Sequence, residues 1–226
     1  MGGGRAKLPV LAEISGPSPG DERVWSLRRA DLEAMEKPLA ELAGHQVAVV
    51  TGGERLVGAV ALAAAASAAG RSTALVECDL SRPHLGTALG LEPGPGLHEY
   101  LRWEAGPAQI LQPLALAGPA AARASVPLIC VAAGAPAADP ATLLSSESFR
   151  HAVAKLRAAY DLVVLAGPPQ GSDRWALEAV AATADALLAC VSRQQAGGRD
   201  GRMLRSALHK LPTATLGAIV VVAVQP

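Results

Sequence analysis

Residues 46–51, Gln-Val-Ala-Val-Val-Thr, form a short apolar run that predicts a buried strand. Small residues follow from Leu56 to Ala69 and predict a helix, with Gly70 as its C-terminal cap. A second apolar run comes next, at residues 72–78, and predicts another buried strand. A continuously apolar strand, a helix and a second such strand are typical of a parallel sheet that is buried on both faces.

The same alternation continues towards the C-terminus. Apolar runs predict strands at residues 127–131, 162–165, 186–191 and 216–224, and helical spacing predicts helices at residues 147–159, 175–183 and 201–210. We therefore expect an α/β fold with a doubly wound, mostly parallel sheet and helices on both of its faces.

The N-terminal region carries other signals. Residues 1–20 are rich in Gly and Pro around an apolar run from Leu8 to Ile14, which predicts an extended arm or an edge strand. From Asp21 to Leu42 the apolar residues recur at helical spacing and predict an amphipathic helix, bent or broken near Pro38. The chain is thus divided into an N-terminal arm, residues 1–20, and a single domain, residues 21–226.

Composition excludes several classes of function. The 226 residues carry 20 Lys plus Arg and 20 Asp plus Glu, so the net charge of zero gives no basis for binding nucleic acid. No apolar stretch approaches the roughly 20 residues that a membrane-spanning helix needs, so we expect no direct membrane insertion by this chain. Cys78, Cys130 and Cys190 lie in strand-like runs, which is typical of buried thiols in a reducing, cytoplasmic protein.

The end of the first predicted strand is where a phosphate-binding loop would stand. Such a loop needs a glycine-rich turn, a Lys that contacts the phosphates, and a Ser or Thr that holds Mg²⁺. Here Thr51 is followed by Gly52, Gly53, Glu54 and Arg55, with no Lys, Ser or Thr in the required places. So short a turn leaves little backbone to wrap a phosphate, and Glu54 would repel one. The pattern favours an ordinary strand-to-helix turn.

The end of the second predicted strand carries two acids, Glu77 and Asp79. Residues two apart on a strand lie on the same face, so we expect both carboxylates to point into one crevice, where they could bind Mg²⁺ or orient a water. Arg82 and Arg193 are candidates to line the same crevice and bind an anion. Trp25, Trp103 and Trp175 are interpreted mainly as packing residues, with an exposed Trp in the N-terminal helix as a candidate partner anchor.

Several segments resemble the bacterial tyrosine kinases (BY-kinases), the cytoplasmic ATPase domains that accompany polysaccharide co-polymerases. Residues 73–91 resemble the family's Asp-x-Asp-Leu-Arg-Arg-Pro motif, and residues 94–101 resemble its Pro-Gly-Leu-x-x-Tyr-Leu segment. Residues 128–149 are similar to its Pro-x-x-Leu-Leu-x-Ser-x-x-Phe pattern, and residues 160–169 to its Tyr-Asp-x-x-x-x-Asp-Thr-Pro-Pro pattern. The resemblance implies a P-loop NTPase-like fold of the type found in BY-kinases and partitioning ATPases.

This sequence departs from the family at the positions that bind phosphate and Mg²⁺. By this resemblance the phosphate loop is about four residues short, its Lys and Ser/Thr are missing, and the carboxylate that orders Mg²⁺ is replaced by Ala166. Each lost contact is worth about 2–4 kcal/mol in a transition state. The resemblance therefore implies a pseudokinase with no catalytic residue, no metal site, and neither ATP nor Mg²⁺ as cofactor. Its degenerate nucleotide-binding residues would be Gly52, Gly53, Arg55, Glu77, Asp79, Arg82 and Ala166.

The resemblance also implies partners. BY-kinases use a Glu-x-x-Arg-x-x-Arg motif to join subunits into rings, and Glu22, Trp25 and Arg28 occupy its positions here, with Trp in place of the middle Arg. A homo-oligomer through this surface stays open. A membrane polysaccharide co-polymerase or a related kinase is the implied partner, which would hold this cytoplasmic chain at the inner face of the membrane.

Two alternatives stay open. The first is a divergent but active ATPase or protein-tyrosine kinase that uses ATP and Mg²⁺ with Arg55, Glu77 and Asp79. The second is a partitioning or septum-site ATPase, which predicts association with DNA or a membrane. The sequence shows neither a basic patch nor a C-terminal amphipathic helix for that role.

Overall fold

The computed structural model describes residues 8–15, 28–114, 126 and 128–222. Within these ranges eight strands form one sheet in the order β1-β8-β7-β2-β6-β3-β5-β4. All neighbouring strands are parallel except β4 and β5, which are antiparallel. The strands are β1 Val10–Ser15, β2 Val47–Thr51, β3 Thr73–Glu77, β4 Gln112–Leu114, β5 Leu128–Val131, β6 Leu162–Ala166, β7 Ala186–Ser192 and β8 Thr215–Val222.

Helices cover both faces of this sheet. Those described are α1 Arg29–Ala34, α2 Glu36–Glu41, α3 Arg55–Ala68, α4 Leu85–Ala88, α5 Leu97–Leu101, α6 Pro107–Ile110, α7 Pro140–Ser145, α8 Glu147–Ala159, α9 Arg174–Ala181, α10 Arg193–Ala196 and α11 Gly198–Leu208. Helices α1 to α4 share one apolar core with the sheet, and α5 to α9 together with α11 share the other. The doubly wound α/β fold predicted from the sequence is confirmed.

Helix α3 is the most deeply buried helix that the structure describes, since every residue from Val57 to Ser67 is buried. Half of its 14 residues are Ala, which lets the helix backbone approach the sheet closely on one face while neighbouring helices cover the other. Gly70, at a φ of +82°, follows its C-terminus as the sequence predicted.

The N-terminal predictions are confirmed in part. The run from Leu8 to Ile14 overlaps the edge strand β1, Val10–Ser15, which pairs with β8. The predicted helix over residues 21–42 is two short helices that meet at Met35, three residues before Pro38, and residues 21–27 lie outside the described ranges. Among the helices described, none combines the length and the hydropathy that crossing a bilayer requires.

Candidate functional site

The ends of β2, β6 and β3 lie side by side at the carboxyl edge of the sheet. β6 lies between β2 and β3, so that Val50 of β2 and Glu77 of β3 are both register partners of Ala166. Backbone hydrogen bonds join the strand ends, since Gly167 N donates to Val50 O at 2.9 Å and Cys78 N donates to Ala166 O at 2.8 Å. Ligands of doubly wound sheets bind outside this edge.

The turn after β2 is packed against the end of β7. Gly52 has a φ of +116°, and a Cβ at this position would overlap the carbonyl oxygen of Cys190. The N–H of Glu54 donates to that same oxygen at 3.1 Å, and α3 begins at the next residue. A Cβ on Gly53 would lie 2.9 Å from Oε1 of Gln195. The two glycines therefore allow the turn to pack closely against the rest of the protein. The N–H of Glu54, which could otherwise face a phosphate, is hydrogen-bonded to β7.

Arg55, the first residue of α3, forms a buried ion pair. Its Nη2 lies 2.6 Å from Oδ2 of Asp79, and the two side chains are 12% and 1% exposed. The other carboxylate oxygen of Asp79 accepts hydrogen bonds from the Ser81 hydroxyl at 2.7 Å and from the Arg82 N–H at 3.3 Å. Burial lowers the pKa of Arg55, and the charge and hydrogen bond of Asp79 offset part of that effect. Asp79 is thus neutralised and hydrogen-bonded from within the protein.

Glu77 is buried as well, and backbone groups occupy its carboxylate. Oε1 accepts hydrogen bonds from His84 N at 2.6 Å and Leu85 N at 2.7 Å, and Oε2 accepts one from Ala133 N at 3.1 Å. The side chain therefore joins the start of α4 to the segment after β5. The prediction that Glu77 and Asp79 point together into an open crevice is wrong, because each carboxylate turns inward to donors of its own.

The end of β6 offers no replacement ligand. Ala166 is fully buried, and the nearby hydroxyl of Thr51 donates to Pro168 O at 2.7 Å, so it points into the protein. Within the ranges that the structure describes, no group of three or more His, Cys, Asp or Glu side chains is arranged to hold a metal ion.

An open cleft of about 610 Å³ lies beside the turn, and its lining includes Arg55, Arg82 and His84. Glu54 and Pro169 also line it, while neither Glu77 nor Asp79 does. The sequence analysis identified Arg55 and Arg82 at this site but missed His84 and Pro169. The only signal for these two residues was their position, since His84 follows Glu77 and Asp79 and Pro169 ends the motif at residues 160–169. The cleft therefore adjoins the turn at which a phosphate-binding loop was sought.

Other predicted residues lie elsewhere. Arg193 is not in this cleft, because its Nη2 pairs with Oε2 of Glu13 on β1 at 2.5 Å. In the predicted subunit-joining motif, Arg28 pairs with Asp31 at 3.2 Å, and Glu22 and Trp25 fall outside the described residues.

The tryptophan prediction is wrong for the two that the structure describes, since Trp103 and Trp175 are exposed. All three cysteines are free and buried, as expected, and burial raises the pKa of each thiol.

The residues at this edge do not fit a magnesium–nucleotide complex. A phosphate cradle needs free backbone N–H groups and a cation, and Mg²⁺ needs carboxylate or hydroxyl oxygens that are open to it. Here the Glu54 N–H, the Thr51 hydroxyl and the carboxylates of Glu77 and Asp79 all have partners within the protein.

Comparisons with known proteins agree with this description of the fold. Neither a protein-family model nor a curated protein matches the sequence. The kinase domain of the Escherichia coli tyrosine kinase ETK superposes with a TM-score of 0.76 at 17% identity, over 97% of this chain and 92% of that one. The BceF tyrosine kinase domain gives a TM-score of 0.72 at 16% identity, over 95% of this chain and 93% of its own.

A second group of structures is less similar. The septum-site protein MinD of Pyrococcus horikoshii, solved with Mg-ADP, gives a TM-score of 0.60 at 16% identity, over 77% of this chain and 69% of that one. The fold thus defines a P-loop NTPase-like α/β protein. Within that class, its fold is that of bacterial tyrosine kinase domains, which confirms the resemblance at the level of structure.

Proposed function

We propose that this chain is a catalytically inactive BY-kinase-like domain, a pseudokinase that acts as a binding or regulatory component in exopolysaccharide or capsule synthesis or export. The observation that carries the proposal is the ion pair between Arg55 and Asp79. It uses the acid that the chain retains from the kinase motif, and it places a guanidinium at the start of the helix where a phosphate-binding loop would end.

Recruiting Asp79 to a metal would first require this pair to separate. Removing one partner of a buried ion pair typically costs about 3–5 kcal/mol, because the other charge stays buried without compensation. Glu77 would in addition have to release the three backbone N–H groups that donate to it. Binding of Mg²⁺ and ATP would have to offset both losses with few favourable contacts, so we expect no measurable affinity.

The regulatory role rests on the fold that remains. The chain superposes on kinase domains over nearly its whole length, with TM-scores of 0.76 and 0.72. A surface that a kinase domain presents to its partners can survive such changes. We infer that the partner is a membrane polysaccharide co-polymerase or a related kinase, which would hold this chain at the inner face of the membrane.

Isothermal titration calorimetry with ATP and Mg²⁺ tests the first half of the proposal. We expect no binding heat, no thermal shift and no release of phosphate, with the ETK kinase domain measured in parallel as the positive control. Micromolar ATP affinity would contradict the proposal. Hydrolysis that disappears in a folded Asp79→Ala variant and in Arg55→Ala would instead establish the alternative, a divergent active ATPase.

A binding assay tests the second half. The purified chain should bind the cytoplasmic part of the co-polymerase, or the related kinase, whether or not ATP is present. Binding that requires ATP, or no binding to either protein, would remove the regulatory half and leave the first half untouched.

A further inference from the structure

A second cavity, of about 520 Å³, lies between the edge strand β1 and helix α11. Its apolar lining comes from three neighbouring strands, the residues before β1, and α11: Leu8, Val10, Val191, Leu204 and Ala218. This β1–α11 cavity shares no lining residue with the cleft beside the β2 turn. Cavities of about 300–1,000 Å³ with an apolar lining and a few polar groups are typical of small-molecule sites.

The charged groups of this cavity are all cationic. Arg193 of α10 and Arg202 and Arg205 of α11 line it, and no acidic side chain of the described residues does. Acidic and basic residues are equal in number over the whole chain, so composition does not explain this local excess. Arg202 and Arg205 are three residues apart and lie on the same face of α11. Like charges in one cavity repel one another, and a bound anion offsets that repulsion.

Glycines and an uncovered valine keep this cavity open. Gly197 and Gly198 both line it. A Cβ on Gly197 would meet only the backbone oxygen of Gln194, at 4.0 Å, and one on Gly198 would meet nothing within 4 Å beyond its own helix. Val10 is 44% exposed although it belongs to a strand of the sheet. Uncovered apolar surface beside cations suits a ligand that is apolar at one end and anionic at the other.

The exposed rim of the cavity indicates which anion fits. Nη2 of Arg193 lies 2.5 Å from Oε2 of Glu13, and the two side chains are 66% and 53% exposed. An arginine of the cavity thus already pairs with a carboxylate, which the planar fork of a guanidinium matches in shape. The charge of Glu13 at the rim would repel a polyanion more than a monoanion. A monocarboxylate therefore fits better than a phosphate ester.

We propose that the β1–α11 cavity binds a small organic monocarboxylate with an apolar body. The body packs against Val10, Val191 and Leu204, and the carboxylate accepts hydrogen bonds from the guanidinium of Arg202, beside Arg205. The inference is independent of the proposed function, because the cavity uses none of the residues at the ends of β2, β3 and β6.

Isothermal titration calorimetry of the full chain with octanoate, 3-phenylpropanoate and 2-naphthoate tests the proposal. At least one of these carboxylates should bind saturably, at one site per chain, with a Kd below about 10 mM. For each carboxylate that binds, the neutral alcohol of the same apolar body should bind at least about tenfold more weakly, because it lacks the charge that Arg202 recognises. The phosphate monoester of that body should also bind more weakly, because Glu13 repels its second charge.

Variants identify the cavity as the site. Arg202→Ala should weaken binding at least about tenfold, and Arg199→Ala, the matched control, should bind like the wild type, since Arg199 is exposed on the same helix but does not line the cavity. Gly197→Leu should fill the cavity and prevent binding, and thermal midpoints of all variants separate loss of ligand from loss of fold. No saturable binding of any carboxylate would overturn the proposal. So would equal binding of the alcohol or the phosphate, or unchanged affinity in Arg202→Ala.

Discussion

Replacing Asp79 by Asn removes the negative charge from the Arg55–Asp79 pair while it keeps the size of the side chain. Oδ1 of the new amide can still accept from Ser81 and Arg82, so the main loss is the compensation of Arg55. Removal of one partner from a buried pair costs about 3–5 kcal/mol. Because the Arg55 side chain keeps 12% of its exposure, we expect the lower end, about 3 kcal/mol of unfolding free energy.

The reverse change should cost more. Arg55→Leu leaves the Asp79 carboxylate, 1% exposed, with only a hydroxyl and one N–H as donors. We expect a loss of about 4 kcal/mol. The double variant, Arg55→Leu with Asp79→Asn, has no uncompensated charge, so its loss should be smaller than the sum of the single losses by about 2 kcal/mol or more.

Equilibrium urea unfolding followed by circular dichroism measures these differences, with equal slopes required for the comparison. Arg29→Leu is the matched control, since Arg29 pairs with Glu33 on the surface at 2.9 Å with 71% and 49% of the side chains exposed. Its effect should stay within about 0.5 kcal/mol. Single variants at Asp79 and Arg55 that each lose less than about 1 kcal/mol, or losses that simply add, would refute the argument that the pair is a buried, coupled unit.

Three further predictions concern other contacts. Glu77→Gln should lower the unfolding free energy by about 1–3 kcal/mol in urea denaturation, since its new amide cannot accept all three backbone hydrogen bonds, and an unchanged midpoint would contradict this. Gly52→Ala should cost about 2–4 kcal/mol by the same assay, because its Cβ would overlap the backbone oxygen of Cys190 at a positive φ, and a neutral effect would exclude this packing. Burial alone would raise the pKa of Asp185, but hydrogen bonds from Arg157 and two backbone N–H groups bring it below its ordinary value of 3.8. The stability that Asp185 adds should therefore be present above pH 3.8 and be lost as the pH falls below it, so that wild type and Asp185→Asn converge in acid and differ at neutral pH in thermal unfolding.

Much of the fold could be predicted from local patterns. The runs at residues 46–51 and 162–165 are apolar on both faces, which only a doubly covered sheet allows, and the corresponding strands lie side by side. The bounds of helix α8 agree with the prediction because Ser146 caps its start and its apolar residues keep helical spacing. Helices α4 to α7, helix α10 and the strand β4 were missed, since each spans at most six residues and is too short to show a period.

For the candidate site, too, local features could be predicted from the sequence and contacts between distant residues could not. Missing residue types are visible in the sequence, so the absence of a Lys after Gly53 could be read directly, and the resemblance to BY-kinases pointed to Ala166 as the place of a missing acid. The direction in which a side chain points is not local information. Glu77 turns to Ala133, 56 residues further on, and Asp79 to Arg55, 24 residues earlier, and neither choice leaves a mark on the spacing of the two acids.

By itself, then, the sequence determined the class of fold, the longer strands and helices, and the absence of Lys, Ser and Thr from the turn between residues 52 and 57. Only the tertiary structure decided that the remaining acids are occupied by internal donors, and that Arg193, Arg202 and Arg205 line one cavity. The physical reason is that composition and periodicity reflect burial, which is averaged over neighbouring residues. Hydrogen-bond partners and the lining of a cavity depend instead on where distant segments are brought together.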